Sequence, residues 1–467
     1  MAVKRLEGFD VIIAGAGPCG CVLAKDLAKA GKKVILIEKG GNSLKGIGTM
    51  MGMLNGEHMI RARFPNIWQQ TLEGHGVVLG TGVGGGSYLY AGITGMPQLE
   101  PFDEVGIDLR PHLEEAKKET WVSKTPDEFL GPTTRRLLEV ANSIGLPFQV
   151  AYRHINFDKC EYGCQTASFG CKRGAKWMGY YAAQEAAEHG ARLQTYTDVR
   201  SVIIENGAAA GVIARDVRDG HYYEIRGQAV VSTAGGIGSA GILTRSGIRG
   251  AGLRLFGDPS FGSTGLLPAG DLKSHFYEHG TSIAFMDDKN GCMYSTNITW
   301  SRFFWSAYQV MGSGLGGFWK VYKAYPRMVS IMNKIHDEGV GRVTYTGRVS
   351  KTLTLADEDK MNHCRFVNEK ILLAMGCDRR TIKHAGFSHV KGGMSFGHPG
   401  GTCPMGVVVN RNLETPIKNC FVCDISSLPG APSRPPVLTL VTLTKWFAPR
   451  LLERLGGQGA GPASPAG

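Results

Sequence analysis

Phe9-Asp10-Val11-Ile12-Ile13-Ala14 followed by Gly15-Ala16-Gly17-Pro18-Cys19-Gly20 reads as a short apolar strand running into a glycine-rich turn. Cys19 to Ala30 then reads as a helix, and Lys33 to Ile37 as a second apolar strand that ends at Glu38. Strand, turn, helix and strand in this order make a βαβ unit of the kind that binds dinucleotides. Gly15 permits the tight turn, Gly17 lets the backbone approach a pyrophosphate, and Gly20 lets the helix pack close to the strand. The helix N-terminus presents unpaired N–H groups to the phosphates. Glu38, eighteen residues after Gly20, is placed to accept hydrogen bonds from an adenosine ribose. An acid there favours a free 2′-OH over a 2′-phosphate, so NAD or FAD is expected and NADP is not.

The 467 residues suffice for two or three domains. A composition of 43% hydrophobic and 20% charged residues is that of a globular protein and excludes disordered and fibrous classes. The 66 glycines predict many tight turns and close backbone approaches. No uninterrupted apolar run reaches about 18 residues, so no transmembrane segment is expected. The first strand begins almost at the N-terminus and leaves no room for a signal peptide, which makes the cytoplasm the expected location. The eleven cysteines are odd in number and scattered, which argues against a disulfide scaffold. The net charge of +12 is spread along the chain and not gathered into one run. It therefore reads as a solvated basic surface and not as a nucleic-acid site, and a small molecule is the expected partner.

Thr133 to Gly145 reads as an amphipathic helix with Leu137, Leu138, Val140 and Ala141 on its apolar face, and a further helix follows Lys176 through Glu188. Val199–Glu205 and Gly211–Val217 read as paired strands joined at Asn206-Gly207. Gln228 to Ala234 is a buried strand ending in Gly235-Gly236, and the chain closes with a strand, Cys420–Asp424, and a helix, Leu438–Leu455. Strand and helix recur at both ends around a less regular middle. One nucleotide-binding domain is thus expected from residues 1–100, 175–255 and 396–455. Residues 101–174 would be a linking or lid region, 256–395 an inserted substrate-binding domain, and 456–467 a disordered tail.

Four separated segments resemble the glucose–methanol–choline (GMC) oxidoreductase family, FAD enzymes that oxidise alcohols. They are the Gly15–Glu38 unit, the loop Gly82-Val-Gly84-Gly85-Gly86-Ser87, the stretch Val230 to Gly247, and Gly397-His398-Pro-Gly-Gly-Thr402-Cys-Pro-Met405-Gly406 followed by Val422-Cys-Asp424-Ile-Ser426. The second loop is most similar to that of cholesterol oxidase-like members. The resemblance implies an α/β fold: a Rossmann-type FAD-binding domain with an inserted α+β substrate-binding domain built on an antiparallel sheet. It also implies FAD contacts from Gly85, Gly86, Ser87, the strand start at Val199, Asp424 and Ser426. For Asp424 and Ser426 the alternative is strand-end capping. Where FAD is covalent in the family, the anchor is a His near the second loop. His75 lies near it without matching that position, and reads as an exposed loop residue.

Alcohol oxidation by a flavin needs a base for the hydroxyl proton, and histidine, which titrates near working pH, suits that role. His398 matches the family's catalytic histidine. The family pairs it with a downstream Asn or His, but here Pro435 occupies that place in Ala431-Pro-Ser-Arg434-Pro435-Pro436. Arg434 could supply a replacement by binding an alkoxide, carboxylate or phenolate, or could be a structural cation. Cys160, Cys164 and Cys171, leading into Gly174-Ala-Lys176, resemble a Cys-rich stretch of cholesterol oxidase-like and sugar-dehydrogenase members. Three thiolates at this spacing could hold an iron–sulfur cluster, as some dehydrogenase relatives do. The reading taken is packed thiols in a loop over the flavin, with no metal. Trp300 to Tyr325 is the most aromatic stretch. Ordinary core accounts for at least half of its side chains, and the rest would line a pocket, pack a dimer or touch a membrane.

The expected function is oxidation of a CH–OH group on a hydrophobic, aromatic or sugar-like substrate, with His398 as base and oxygen, a quinone or a protein as the open choice of electron acceptor. Alternatives are other flavin chemistry on the same fold (desaturation, C=C reduction, lyase or decarboxylase steps) and a flavin/iron–sulfur electron-transfer subunit.

Overall fold

The computed structural model describes residues 3–42, 44, 47–48, 68–166, 168–386 and 394–456. Two sheets organise it. In the first, the strand Lys4–Ala14 lies between Val34–Ile37 and Tyr222–Ser232, both parallel to it. Arg192–Gln194 extends the parallel sheet beyond Val34–Ile37, and Cys420–Val422 pairs in parallel with the end of Tyr222–Ser232. The hairpin Thr197–Glu205/Ala208–Asp216 adds two antiparallel strands. Its turn residues Asn206 and Gly207 both have positive φ, 49° and 75°, as a two-residue hairpin turn demands. The parallel strands Val11–Ala14 and Val34–Ile37 are buried throughout, because helices cover both faces of such a sheet.

The helix Pro18–Lys29 packs between the helices Gly179–Glu188 and Val437–Gly456. Gly20 makes its close approach to the sheet possible. A Cβ there would lie 2.0 Å from the Gly15 carbonyl oxygen and 2.6 Å from Thr233 Oγ1. The closing helix carries a buried lysine, Lys445, whose Nζ bonds Asp26 at 2.8 Å, Glu115 at 3.0 Å and Glu119 at 3.2 Å. That group of charges ties three helices together.

The second sheet is mainly antiparallel, as expected of the inserted unit. Its centre is Pro259–Leu266 against Met328–Ile335, continued by Cys292–Thr296, Ile283–Asp287 and Gln149–Val150. The helix Leu355–Ala374 covers it through Met361, Cys364, Val367 and Ile371. The other end differs from the sequence expectation. Trp68–Gln70 and Gly76–Val78, placed by position with the nucleotide-binding unit, join this second sheet through Ser395–Phe396. Strands of two or three residues carry too little alternation to betray their sheet. The 101–174 region holds the helix Pro132–Ser143 and the strands Val122–Lys124 and Tyr152–His154, which form a small sheet with Ile93–Thr94 from before it. Of the tail expected to be disordered, residues 457–467 lie outside the described residues.

Gly20→Ala should destabilise the protein by about 1–3 kcal/mol, because the Gly15 carbonyl, which is backbone and cannot swing aside, lies where the methyl must go; its thermal midpoint and flavin content measure this. Three fully or nearly fully buried histidines add a pH dependence. Burial lowers His154 and His275 to about 4, and His279 to about 3, from the ordinary 6.5. The unfolded chain therefore binds more protons than the folded one below pH 6.5, and stability must fall with acidification. The thermal midpoint should drop steadily between pH 6.5 and 4, with replacement of His154 by an isosteric neutral residue flattening the decline.

Candidate active site

Glu38 ends its strand with a buried carboxylate that three backbone N–H groups reach: Ala16 at 3.0 Å on one oxygen, Gly40 at 2.8 Å and Gly82 at 3.0 Å on the other. It thus stitches together the first glycine turn, the segment after the strand, and the second glycine loop. Backbone bonds from Gly84 N to the Ala16 carbonyl (2.7 Å) and from Val83 N to the Gly41 carbonyl (3.0 Å) complete the seam. The two loops touch because both are glycine there: a Cβ on Gly85, whose φ is 51°, would lie 2.9 Å from Gly17 Cα. Gly86, by contrast, has open space where a side chain would stand. Gly17 caps the helix Pro18–Lys29 with no side-chain bond, and no acid occupies the first turn, so its N–H groups and positive dipole end are left for a phosphate. Thr197 N bonds the Glu38 carbonyl and Tyr196 N the Gly40 carbonyl, both at 2.9 Å, which starts the Val199 strand beside this cradle. The arrangement fits an extended dinucleotide.

Three expected contact residues, Ser87, Asp424 and Ser426, are engaged inside the protein. Ser87 is fully buried; its hydroxyl donates to the Gly84 carbonyl and accepts from Gly179 N. Asp424 accepts from Gly235 N (2.8 Å), Ser239 Oγ (2.6 Å), Ser426 N (2.7 Å) and Ser426 Oγ (2.5 Å). Four donors fill a carboxylate, so the side chains of Asp424 and Ser426 perform the strand-end capping. They lock the N-terminus of the helix Gly235–Arg245 to the loop that carries His398.

That loop is fixed by its backbone. Gly400 and Phe256 exchange two hydrogen bonds of 3.1 Å, Gly401 N and Cys403 N bond the carbonyls of Ile425 and Ser426, and Thr402 Oγ1 donates to the Gly236 carbonyl. His398 is thereby set opposite Asp258, and its Nδ1 lies 2.5 Å from Asp258 Oδ2. Lys334 Nζ bonds the same oxygen at 2.9 Å and Ser260 Oγ at 3.0 Å. The strand register, with Ser260 opposite Lys334, brings that ammonium beside Asp258. Asp258 is completely buried, while the His398 ring stays about one fifth exposed (21%).

A second buried ion pair supports the first. Asp337 accepts from Gly257 N and Asp258 N, both at 2.8 Å, and pairs with Lys351 at 2.9 Å. It holds Asp258 at a φ of 51°, an unfavourable conformation for a residue that precedes proline. Burial alone would raise the Asp258 pKa, but Lys334 and His398 together bring it below the ordinary carboxylate value. Burial, and then Lys334, hold His398 below 6.5, with Asp258 opposing. The result is a neutral imidazole at neutral pH whose Nδ1–H is committed to an ionised carboxylate.

Sequence reasoning singled out His398 and not Asp258, Lys334, Asp337 and Lys351, which the fold gathers behind it. A lysine inside the strand Met328–Ile335, buried at every position, was the available signal. Arg434 is engaged within the protein: Nη1 donates to the Met96 carbonyl at 2.8 Å and Nη2 pairs with Asp288. It ties residues 95–96 to the turn at 288 through its two terminal nitrogens and leaves Nε buried without a partner. Cys160, Cys164 and Cys171 each have a local neighbour, His279 Nε2 at 4.0 Å, Thr166 Oγ1 at 3.4 Å and Ala175 N at 3.3 Å respectively. Among the described residues no group of three or more His, Cys, Asp or Glu side chains is disposed to hold a metal ion. His75 is half-buried against Phe396 and not exposed as expected; its Nδ1 accepts from Met394 N at 3.2 Å. No helix among the described residues is long and apolar enough to cross a membrane.

Comparison with known proteins places these features. The N-terminal model of GMC oxidoreductases matches residues 9–258 and the C-terminal model residues 376–444. An uncharacterized GMC-type oxidoreductase of Mycobacterium tuberculosis is 30% identical over 261 residues, covering 52% of this chain but only 39% of the relative. A long-chain-alcohol oxidase of Arabidopsis thaliana is 24% identical over 525 aligned positions, covering 96% of this chain and 68% of the relative. The crystal structure of pyridoxine 4-oxidase from Mesorbium loti shares the fold, with a TM-score of 0.66 at 16% identity over 96% of this chain and 99% of that one. The match spans more than half of the sequence and includes the glycine cradle, and the chain belongs to the GMC oxidoreductase family, whose cofactor is FAD.

Proposed function

We propose that the chain oxidises a CH–OH group of a hydrophobic or aromatic alcohol, with His398 as the base. The observation that carries the proposal is the bond from His398 Nδ1 to buried Asp258. An ionised carboxylate only accepts, so the ring proton sits on Nδ1 and the lone pair on Nε2. FAD, held by the Glu38 cradle, would take the hydride from the carbinol carbon. His398 Nε2 accepts the hydroxyl proton, which spares the substrate a costly alkoxide. Asp258 keeps the ring in the required tautomer and balances the imidazolium that forms. Lys334 neutralises Asp258 and disfavours early protonation of His398. The long-chain-alcohol oxidase relative supports a CH–OH substrate with an apolar body.

Anaerobic mixing of the FAD-loaded protein with primary alcohols of increasing chain length, and with aromatic alcohols, tests this. Loss of flavin absorbance is the expected outcome; a flavin left oxidised by every alcohol overturns the reading. His398→Ala should retain flavin and slow bleaching about 10²- to 10⁴-fold. Asp258→Asn, which frees the ring to take the wrong tautomer, should slow it on the order of 10²-fold or more. The bleaching rate should rise with pH through a midpoint below 6.5. Lys334→Met removes the cation that faces His398 across Asp258, so His398 should titrate higher and the acid limb move to higher pH. Asp337, Lys351 and His336, the other ionisable groups around Asp258, are untouched by that substitution.

A further inference from the structure

The stretch from Lys289 to His336 contains no Asp or Glu, against about four expected from the chain's 40 acids in 467 residues. It carries six basic residues: Lys289, Arg302, Lys320, Lys323, Arg327 and Lys334. Its centre is the helical segment Arg302–Ala324, which is not one straight helix. Gly314 has φ 63° and ψ −166°, outside helical geometry. Phe303 and Phe318 have ring centroids 5.9 Å apart, whereas fifteen residues of straight helix would separate them by about 22 Å. Arg302 Nε bonds the Tyr322 carbonyl at 2.7 Å, and its guanidinium lies over the Tyr322 ring at 3.7 Å. The chain folds back on itself as a helical hairpin with its bend at Gly314.

The root of the hairpin is anchored. Trp305 and Tyr325 are buried with Phe276, and the Tyr325 hydroxyl donates to the Trp300 carbonyl at 2.6 Å. The outer part is the reverse. Leu315 at the bend is 74% exposed, Phe303 60% and Trp319 57%. Phe303, Phe318, Trp319 and Tyr322 touch in series, so the exposed apolar surface is contiguous. Exposed Lys320 and Lys323 flank it. Scattered exposed leucines need no explanation, but joined Phe, Trp and Tyr rings with an exposed Leu at the bend, beside lysines and devoid of acids, have the make-up of an interfacial element.

We propose that this hairpin docks on an anionic lipid surface, with Leu315, Phe303 and Trp319 entering the headgroup boundary and Lys320 and Lys323 resting on acidic headgroups. Absence of acids over 48 residues is the argument for lipid over a second copy of the chain, since two such basic hairpins repel one another. Apolar burial supplies the holding force and the lysines supply attraction that salt weakens. The proposal is independent of the role given to His398.

Co-sedimentation of the full-length, FAD-loaded protein with phosphatidylcholine vesicles, with and without phosphatidylserine, tests it. Binding to the phosphatidylserine vesicles at low salt, reduced at high salt, and a blue shift of tryptophan emission are expected. Lys320→Gln with Lys323→Gln should weaken binding about 25-fold, some fivefold per charge. Leu315→Ser with Trp319→Ser should abolish it, with flavin absorbance unchanged as the control for folding. Failure to sediment with anionic vesicles overturns the proposal, as does binding that neither pair of substitutions alters. A dimer seen by light scattering and dissolved by Leu315→Ser would assign the patch to self-association and also overturn it.

Discussion

One buried carboxylate joins the two halves of this molecule. Asp258 closes the stretch that leads out of the nucleotide-binding sheet and opens the central strand of the antiparallel sheet. It receives His398 from the C-terminal loop and Lys334 from the neighbouring strand on a single oxygen. A bare carboxylate could not survive there; burial costs too much without compensating charge. Lys334 supplies that charge, and Asp337 with Lys351 supplies the backbone geometry. Breaking one partner of such a buried pair costs about 3–5 kcal/mol, so orientation of the histidine and integrity of the sheet are hard to separate.

This placement couples chemistry to recognition. The groups that set the basicity of His398 belong to Pro259–Leu266 and Met328–Ile335, the strands at the centre of the inserted unit. Changing the packing of that unit disturbs the surroundings of His398 as well. The glycine cradle is more independent. It is held by Glu38 and by backbone bonds among residues 15–17, 40–41 and 82–86, none of which reaches the second sheet.

The cofactor half was legible because its signals are local. A strand, a glycine turn, a helix and an acid follow one another within thirty residues, and Gly15, Gly20 and Gly85 each answer a steric need visible in the packing. The Asn206-Gly207 hairpin was legible for the same reason. The polar network behind His398 was not, since Asp258, Lys334 and His398 are separated from one another by 64 to 140 residues and meet only in the fold. The missing Asn or His at Pro435 drew attention to Arg434, its nearest charged neighbour in sequence. Its partners, Met96 and Asp288, lie 338 and 146 residues away and are set by the fold alone. Glu38 illustrates a different gap: its position pointed to a ribose, but a motif cannot reveal that the same carboxylate also gathers three backbone segments.

All eleven cysteines are free thiols, and eight of them are buried. Burial pushes Cys19 and Cys403 up to about 12, far from the thiolate form that alkylating reagents attack. The three half-buried thiols, Cys160, Cys164 and Cys171, all sit on one loop, which leans on the second glycine loop through the bond from Gly170 N to the Tyr88 carbonyl. Burial pushes Cys160 up to about 11 as well, so accessibility gives the native chain its labelling address: a maleimide dye would collect on this one loop beside the cradle, with no cysteine engineered in or out.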